Sequence, residues 1–348
     1  MTPKRILLIR RDNIGDLVCT TPLLHALRMR FPEARLDVLV NSYCAPVLHG
    51  HPDIDHLYIY TKTKHRATNE SVLGVYWRRL RTLLALRAAR YDVAVLANVS
   101  CLPRPIRWAR HIGVRHIVGF SEPDSPLARF IDQPVSLPPL SAARHEVERL
   151  MDLMQPFGGI ATTTPPLHLC AEPHATAHAQ QQLAHHGHLV GLHISARKPS
   201  QRWPTDRFIA LIHALHAQNP AVHFALFWSP GPSHAAHHPG DDDKAQAILA
   251  ACRDLPLTPL PSQHLSELIG GLSLVDTLIC SDGGAMHVAA ALGKPIVCLF
   301  GDTEAAHWHP WAVPYVLLQA DSRDVHDLSV EQVCQAYFSL TETAEQPL

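Results

Sequence analysis

The feature that most constrains this chain is a strand, turn and helix unit that opens the sequence and starts again in its second half. Residues 5–10 read as a short apolar strand, Arg11-Asp-Asn-Ile-Gly-Asp16 as a turn, and residues 17–31 as an apolar-periodic helix. Buried strands are expected again at 36–40, 57–60 and 93–97, with helical patterns between them. Pro- and Thr-rich stretches at 134–139 and 162–166 flank a helix at 142–157, and the pattern then restarts. The second half reads as strand 189–195, helix 205–217, strand 222–228, an acidic turn at Asp241 to Asp243 and a helix running to Cys252. Helix 264–271, strand 277–280, helix 283–292 and strand 295–300 follow, then an irregular stretch at 301–314 and a last helix near 329–340.

Strands that alternate with helices build a parallel sheet buried on both faces. A chain of 348 residues, 47% of them apolar, exceeds the size at which one core stops growing. The expectation is an α/β protein with two doubly wound domains, 1–165 and 166–348, whose last helix could pack back on the first. Ligands of such sheets bind beyond the carboxyl ends of the strands, here in a central cleft.

The formal net charge of −1 hides a division along the chain. Residues 1–165 carry 22 Lys and Arg against 14 Asp and Glu, and the remainder 8 against 17. A basic first half suits an anionic glycan, a phosphorylated glycolipid or a membrane face, or is surface drift; nucleic acid is not expected. Residues 71–90 form an amphipathic helix with Arg78, Arg79, Arg81, Arg87 and Arg90, fitted either to its own sheet or to lipid headgroups. No apolar run approaches the roughly 18 residues that span a bilayer, and the opening apolar run is short for a secretory signal. A cytoplasmic protein, peripheral at most to the inner membrane, is the expectation.

The eight cysteines lack a Cys-x-x-Cys pair and read as reduced core thiols. The histidines cluster at His185, His186 and His188, at His234, His237 and His238, and at His307 and His309. None of these has the spacing of a zinc site, so no metal is expected.

Three segments carry chemistry. Arg11, Asn13, Gly15 and Asp16 sit between a strand and a helix; Gly15 lets the backbone approach a ligand, and Asp16 either takes a proton from a hydroxyl or only caps the helix. Ser281-Asp282-Gly283-Gly284-Ala-Met-His287 has the same placement. Its amides and helix dipole suit a diphosphate, with Asp282 and His287 beside it, although a plain helix cap would read the same. In Ser195-Ala-Arg197-Lys198-Pro-Ser-Gln201-Arg202-Trp203-Pro204-Thr-Asp-Arg207, cations converge in an otherwise acidic half, which suits a phosphate leaving group.

These segments in this order resemble the heptosyltransferase family, glycosyltransferase family 9, from Arg5 to about Trp311. The resemblance implies a GT-B architecture of two Rossmann-like domains, the acceptor held by the first and a nucleotide sugar by the second. It implies an inverting, metal-independent transfer, with no cofactor beyond the co-substrate, from ADP-heptose to a lipopolysaccharide-type acceptor. On this pattern Asp16 is the catalytic base, and Arg11, Asn13 and Gly15 face the acceptor. Ser195, Arg197, Lys198, Gln201, Arg202, Asp282, Gly283, Gly284 and His287 bind the donor. Relatives commonly read Lys-Arg-Trp-Pro or Lys-His-Trp-Pro where this chain has Gln201-Arg202-Trp203-Pro204, so either Lys198 or Arg202 replaces the family lysine. Two rivals remain: a sugar-nucleotide epimerase on the same two-domain plan, and a glycan-binding relative without turnover. A dinucleotide oxidoreductase is disfavoured because no Gly-x-Gly-x-x-Gly follows Ile9.

Overall fold

The computed structural model describes residues 2–61, 71–122, 124–137, 139, 143–159, 163–183, 187–233 and 240–344. His185, His186, His234, His237 and His238 lie outside the described residues. The chain forms two compact units, Met1–Cys170 and Ala171–Leu348.

In the first unit, strands β1 (Arg5–Ile9), β2 (Arg35–Asn41), β3 (His56–Tyr60), β4 (Val93–Leu96), β5 (His116–Ser121) and β6 (Gln133–Ser136) make one sheet in the order β3-β2-β1-β4-β5-β6. All its pairings are parallel, with Ile6 opposite Leu36 on one side and Val93 on the other. The helices are α1 (Ile14–Val18), α2 (Thr21–Arg30), α3 (Val72–Ala89), α4 (Pro103–Ile112) and α5 (Glu146–Met151). Ile6, Leu7, Leu8 and Ile9 have no exposed surface, as a central strand covered on both faces requires.

In the second unit the helices are α6 (Pro173–Gln182), α7 (Thr205–Gln218), α8 (Asp242–Ala251), α9 (Leu265–Leu272), α10 (Gly284–Ala291), α11 (Ala305–Trp308) and α12 (Val330–Ala344). Strands β7 (Leu189–His193), β8 (His223–Trp228), β9 (Leu257–Pro261), β10 (Thr277–Ser281), β11 (Ile296–Phe300) and β12 (Tyr315–Gln319) run in the order β12-β11-β10-β7-β8-β9. Counted from each unit's own first strand, both sheets read 3-2-1-4-5-6, the order of the dinucleotide-binding fold. Each unit is Rossmann-like, and two such units in one chain are the parts of a GT-B architecture.

The structure refines several spans. The helix expected at 17–31 is two helices, because Pro22 has no amide to continue the ladder and the Thr20 hydroxyl donates to the Asp16 carbonyl at the break (2.8 Å). The helix expected at 142–157 is α5 followed by a tighter 3-10 turn, Asp152–Phe157, which holds Pro156. The stretch at 301–314 contains the short α11. The last helix, α12, packs on α7, β11 and β12 of its own unit, with Val333, Tyr337 and Leu340 in that core.

Candidate functional site

In the first unit the informative side chains gather at the carboxyl end of β1, where the chain must turn from sheet to helix. Asn13 begins α1 and Asp16 lies three residues on, so the Asp16 carboxylate closes a capping box. Its Oδ2 accepts from the Asn13 backbone amide and side-chain amide, each at 3.1 Å. Its Oδ1 accepts from Arg10 Nη2 at 2.8 Å. Asp16 therefore caps the helix and is also tied to a buried cation.

Arg10 is one residue that the sequence reading missed. Its guanidinium is only 2% exposed, donates to the Ala97 carbonyl and to Glu146 Oε1 (3.2 Å), and lies 3.3 Å from Asp12 Oδ2. Burial opposes this charge, but Asp16, Glu146 and Asp12 outweigh it and hold the guanidinium more firmly protonated. Glu146 is itself buried, which pushes its carboxyl up while Arg10 pulls it back; Arg149 stands 3.7 Å from it. Asn98 donates to Asp12 and completes the cluster. A charged residue closing a run of apolar ones was the signal for Arg10. Glu146 had none, because the fold brings it from another helix.

Arg11 and Asn13, assigned to the acceptor, differ in placement. Arg11 Nε donates to the Tyr60 hydroxyl at 2.6 Å and its guanidinium lies over that ring, 5.0 Å from the centroid. Asn13 is exposed and Gly15 is buried. Asn41, at the end of β2, donates to the carbonyls of Arg11 (3.3 Å) and Asp12 (3.1 Å) and so fixes the turn.

In the second unit Gln201 and Asp282 meet directly. Gln201 Nε2 donates to Asp282 Oδ2 at 2.7 Å and to Thr303 Oγ1 at 3.0 Å, and both Gln201 and Asp282 are buried. Burial pushes the Asp282 carboxyl up, against the pull of Thr303, Lys198 and Gln201. Of the two candidate replacements for the family lysine, Lys198 is ion-paired with Asp302 at 2.9 Å. Arg202 is exposed and donates through Nε to the Ala196 carbonyl at 3.0 Å. Arg197 is exposed, and Ser195 Oγ accepts from the Ser229 amide at 2.9 Å.

Gly283 begins α10 in an extended conformation, and a Cβ placed there would meet nothing within 4 Å, so glycine leaves room in front of the first amides of the helix. His287, one turn on, is buried and makes a T-shaped contact with Trp308, centroids 5.8 Å apart. Gly301 packs against the Ser200 carbonyl so closely that a Cβ would come within 2.4 Å of that oxygen. The loops holding Gln201 and Thr303 thus meet backbone to backbone.

Lys244 on α8 is a second missed residue. It donates to the carbonyls of Ile194 (3.2 Å) and Trp203 (2.7 Å), clamping the two ends of the cationic loop, and lies over the Phe208 ring at 4.7 Å. Desolvation pushes its ammonium down to about 8, and desolvation with the Lys244 charge pushes His193 down to about 4. In the sequence Lys244 merely follows three aspartates and reads as a surface charge. Among the described residues no group of three His, Cys, Asp or Glu side chains is placed to hold a metal ion.

Comparisons agree with this arrangement. Residues 79–337 match the model of glycosyltransferase family 9 (heptosyltransferase). Lipopolysaccharide heptosyltransferase 3 of Escherichia coli is 26% identical over 304 residues, covering 86% of this chain and 84% of that one. Lipooligosaccharide heptosyltransferase 2 of Haemophilus influenzae is 25% identical over 316 residues, covering 88% and 85%. Among solved structures, a family 9 glycosyl transferase from Veillonella parvula superposes with a TM-score of 0.82 at 20% identity, covering 98% of each chain. The E. coli ADP-heptose heptosyltransferase II superposes at 0.78 and 20%, covering 98% of this chain and 100% of that one. Two Rossmann-like units with these motifs, matched over most of their length, identify the chain as a glycosyltransferase that belongs to glycosyltransferase family 9, the heptosyltransferases.

Proposed function

We propose that this enzyme transfers a heptose, with inversion and without a metal ion, from ADP-heptose to a hydroxyl of a phosphate-bearing lipopolysaccharide core. The observation that carries the reading is the Asp16 carboxylate at the carboxyl end of β1. A carboxylate offers about four acceptor positions. Asn13 takes two on Oδ2 and Arg10 one on Oδ1, which leaves one on Oδ1 for the acceptor hydroxyl.

In this reading the hydroxyl oxygen attacks the anomeric carbon, its proton passes to Asp16, and the bond to the diphosphate breaks with ADP departing. The charge that develops on the leaving group falls to Arg197, Arg202, Lys198 and the amides at Gly283 and Gly284. His287 and Asp282 line the same turn, and Ser195 and Gln201 belong to the loop facing it. Arg11, with Asn13 and Gly15, faces the acceptor. Family membership favours transfer over isomerisation of the donor, the rival reaction.

The test is a panel of nucleotide sugars offered by calorimetry, followed by transfer to a lipopolysaccharide core acceptor. ADP-heptose should bind best and be consumed only with acceptor present. Asp16→Ala should abolish transfer while nucleotide binding stays within a few fold, because the base acts chiefly in the transition state. Near-normal turnover in that variant would remove Asp16 from the mechanism.

A further inference from the structure

Helix α3 (Val72–Ala89) carries two apolar faces, and among the described residues only one of them is covered. Val75 and Leu86, 1% and 0% exposed, face the core of the first unit, where Leu86 joins Tyr60, Ile106 and Ala109, with Leu83 packed against them. The other face repeats at helical spacing as Leu73, Tyr76, Trp77, Leu80 and Leu84. These are 82%, 56%, 62%, 43% and 55% exposed, with Ile59 of β3, at 41%, another exposed apolar side chain of this unit. A soluble helix normally buries such a stripe or replaces it with polar residues.

The charge carried by α3 and by the neighbouring helix α4 has one sign. Arg78, Arg81, Arg87 and Arg90 are exposed on α3 or at its end, and Arg104, Arg107 and Arg110 are exposed on α4, which packs against it. Neither helix contains an aspartate or glutamate. A protein partner with an apolar patch would not call for so many exposed arginines on two helices that carry no acid of their own. An anionic bilayer surface calls for both features at once: side chains that enter the interface and cations that meet headgroup phosphates.

The helix also connects to the site at β1 through a buried side chain. Arg79 of α3 lies over the Tyr60 ring, 5.7 Å from its centroid, and the Tyr60 hydroxyl accepts from Arg11 Nε. No described helix is long and apolar enough to cross a membrane, so attachment through α3 would be to the surface.

We infer that α3 docks on an anionic phospholipid surface, with Leu73, Tyr76, Trp77, Leu80 and Leu84 in the interface and the arginines of α3 and α4 on the headgroups. This rests on the proposed function for its purpose, since a lipid-anchored acceptor would then meet Arg11 and Asp16 close to the membrane. The binding itself needs no turnover.

The test is co-sedimentation of the full chain with vesicles of phosphatidylcholine containing one third phosphatidylglycerol. The wild type should bind, weakening as salt rises, and should bind pure phosphatidylcholine at least tenfold less. Leu80→Glu with Leu84→Glu, and separately Arg78→Glu with Arg81→Glu, should each lose roughly tenfold or more. Arg78→Lys with Arg81→Lys should keep the binding. Brominated lipid should quench wild-type tryptophan emission, and this quenching should fall in Trp77→Phe, a readout that needs no charge reversal.

Equal binding of wild type and variants would overturn the inference. So would equal binding to neutral vesicles, or a dimer seen by light scattering that the Leu80→Glu and Leu84→Glu variant dissociates while vesicles are ignored. Transfer to a water-soluble core oligosaccharide should be unchanged in the Leu80 and Leu84 variant. Vesicle binding without any transfer by the wild type would sink the proposed function alone. Transfer without vesicle binding would sink the docking surface alone.

Discussion

The Gln201 side-chain amide donates to the buried Asp282 carboxylate across 2.7 Å, at the position where the family resemblance implies a lysine. The partner of that carboxylate is therefore neutral, and burial leaves the Asp282 carboxyl above its ordinary range. Gln201→Ala removes one donor from a buried acceptor, a change that costs about 1–3 kcal/mol. Urea denaturation should show that loss, and ADP affinity should fall with it. Gln201→Lys should recover the affinity and bring the Asp282 carboxyl down, which carboxyl-labelled NMR would read. A Gln201→Ala protein as stable as the wild type would show that Thr303 alone suffices.

The two candidate phosphate cations differ in how they are held. Lys198 is engaged by Asp302, whereas Arg202 is exposed and spends only Nε on the backbone. Arg202→Ala should weaken nucleotide diphosphate binding by about 1–3 kcal/mol, as expected for a lost charge-assisted contact. Lys198→Ala should cost less, because the Lys198 charge is already engaged by Asp302. Calorimetry with ADP decides the order, and a larger loss at Lys198 would reverse the assignment.

Arg10 compensates three carboxylates from a nearly sealed position. Arg10→Met leaves Asp12, Asp16 and Glu146 without their shared cation, and breaking a buried pair in this way costs about 3–5 kcal/mol. Equilibrium unfolding should show a drop of that order, together with loss of transfer. Adding Glu146→Gln to Arg10→Met should restore part of the stability, since it removes one of the stranded charges.

Acid stability has a contributor in the first unit. His51 is 3% exposed and its Nδ1 accepts from the Asp53 amide, so the ring is neutral; burial pushes it down to about 4. The unfolded chain takes up the proton near the ordinary value of about 6.5. Between those values the unfolded state binds more protons, so stability rises with pH across that window and is lost as pH falls through it. The slope from this residue should reach about 1.4 kcal/mol per pH unit. His51→Gln should flatten it in urea titrations between pH 6.5 and 4.

Much of the fold was legible because buried parallel strands write themselves as short apolar runs. Of the edge strands only β3 was read: β6 and β9 contain Pro134, Pro259 and Pro261, which sit where one ladder is missing, and β12 is only half-buried; the interior strand β5 was missed as well. The anion turn and the cationic loop could be read because their residues are close in sequence. The partnership of Arg10 with Glu146 and the clamp by Lys244 could not, since each joins elements that only the folded chain brings together. A side chain bonded to carbonyls also looks, in sequence, like any solvated charge.

The close packing of Gly301 on Ser200 has a dynamic consequence. With no side chain to act as a spacer, the strand-end loops after β7 and β11 touch backbone to backbone and should share one amplitude of motion. A nucleotide that quiets either loop should slow amide exchange in both.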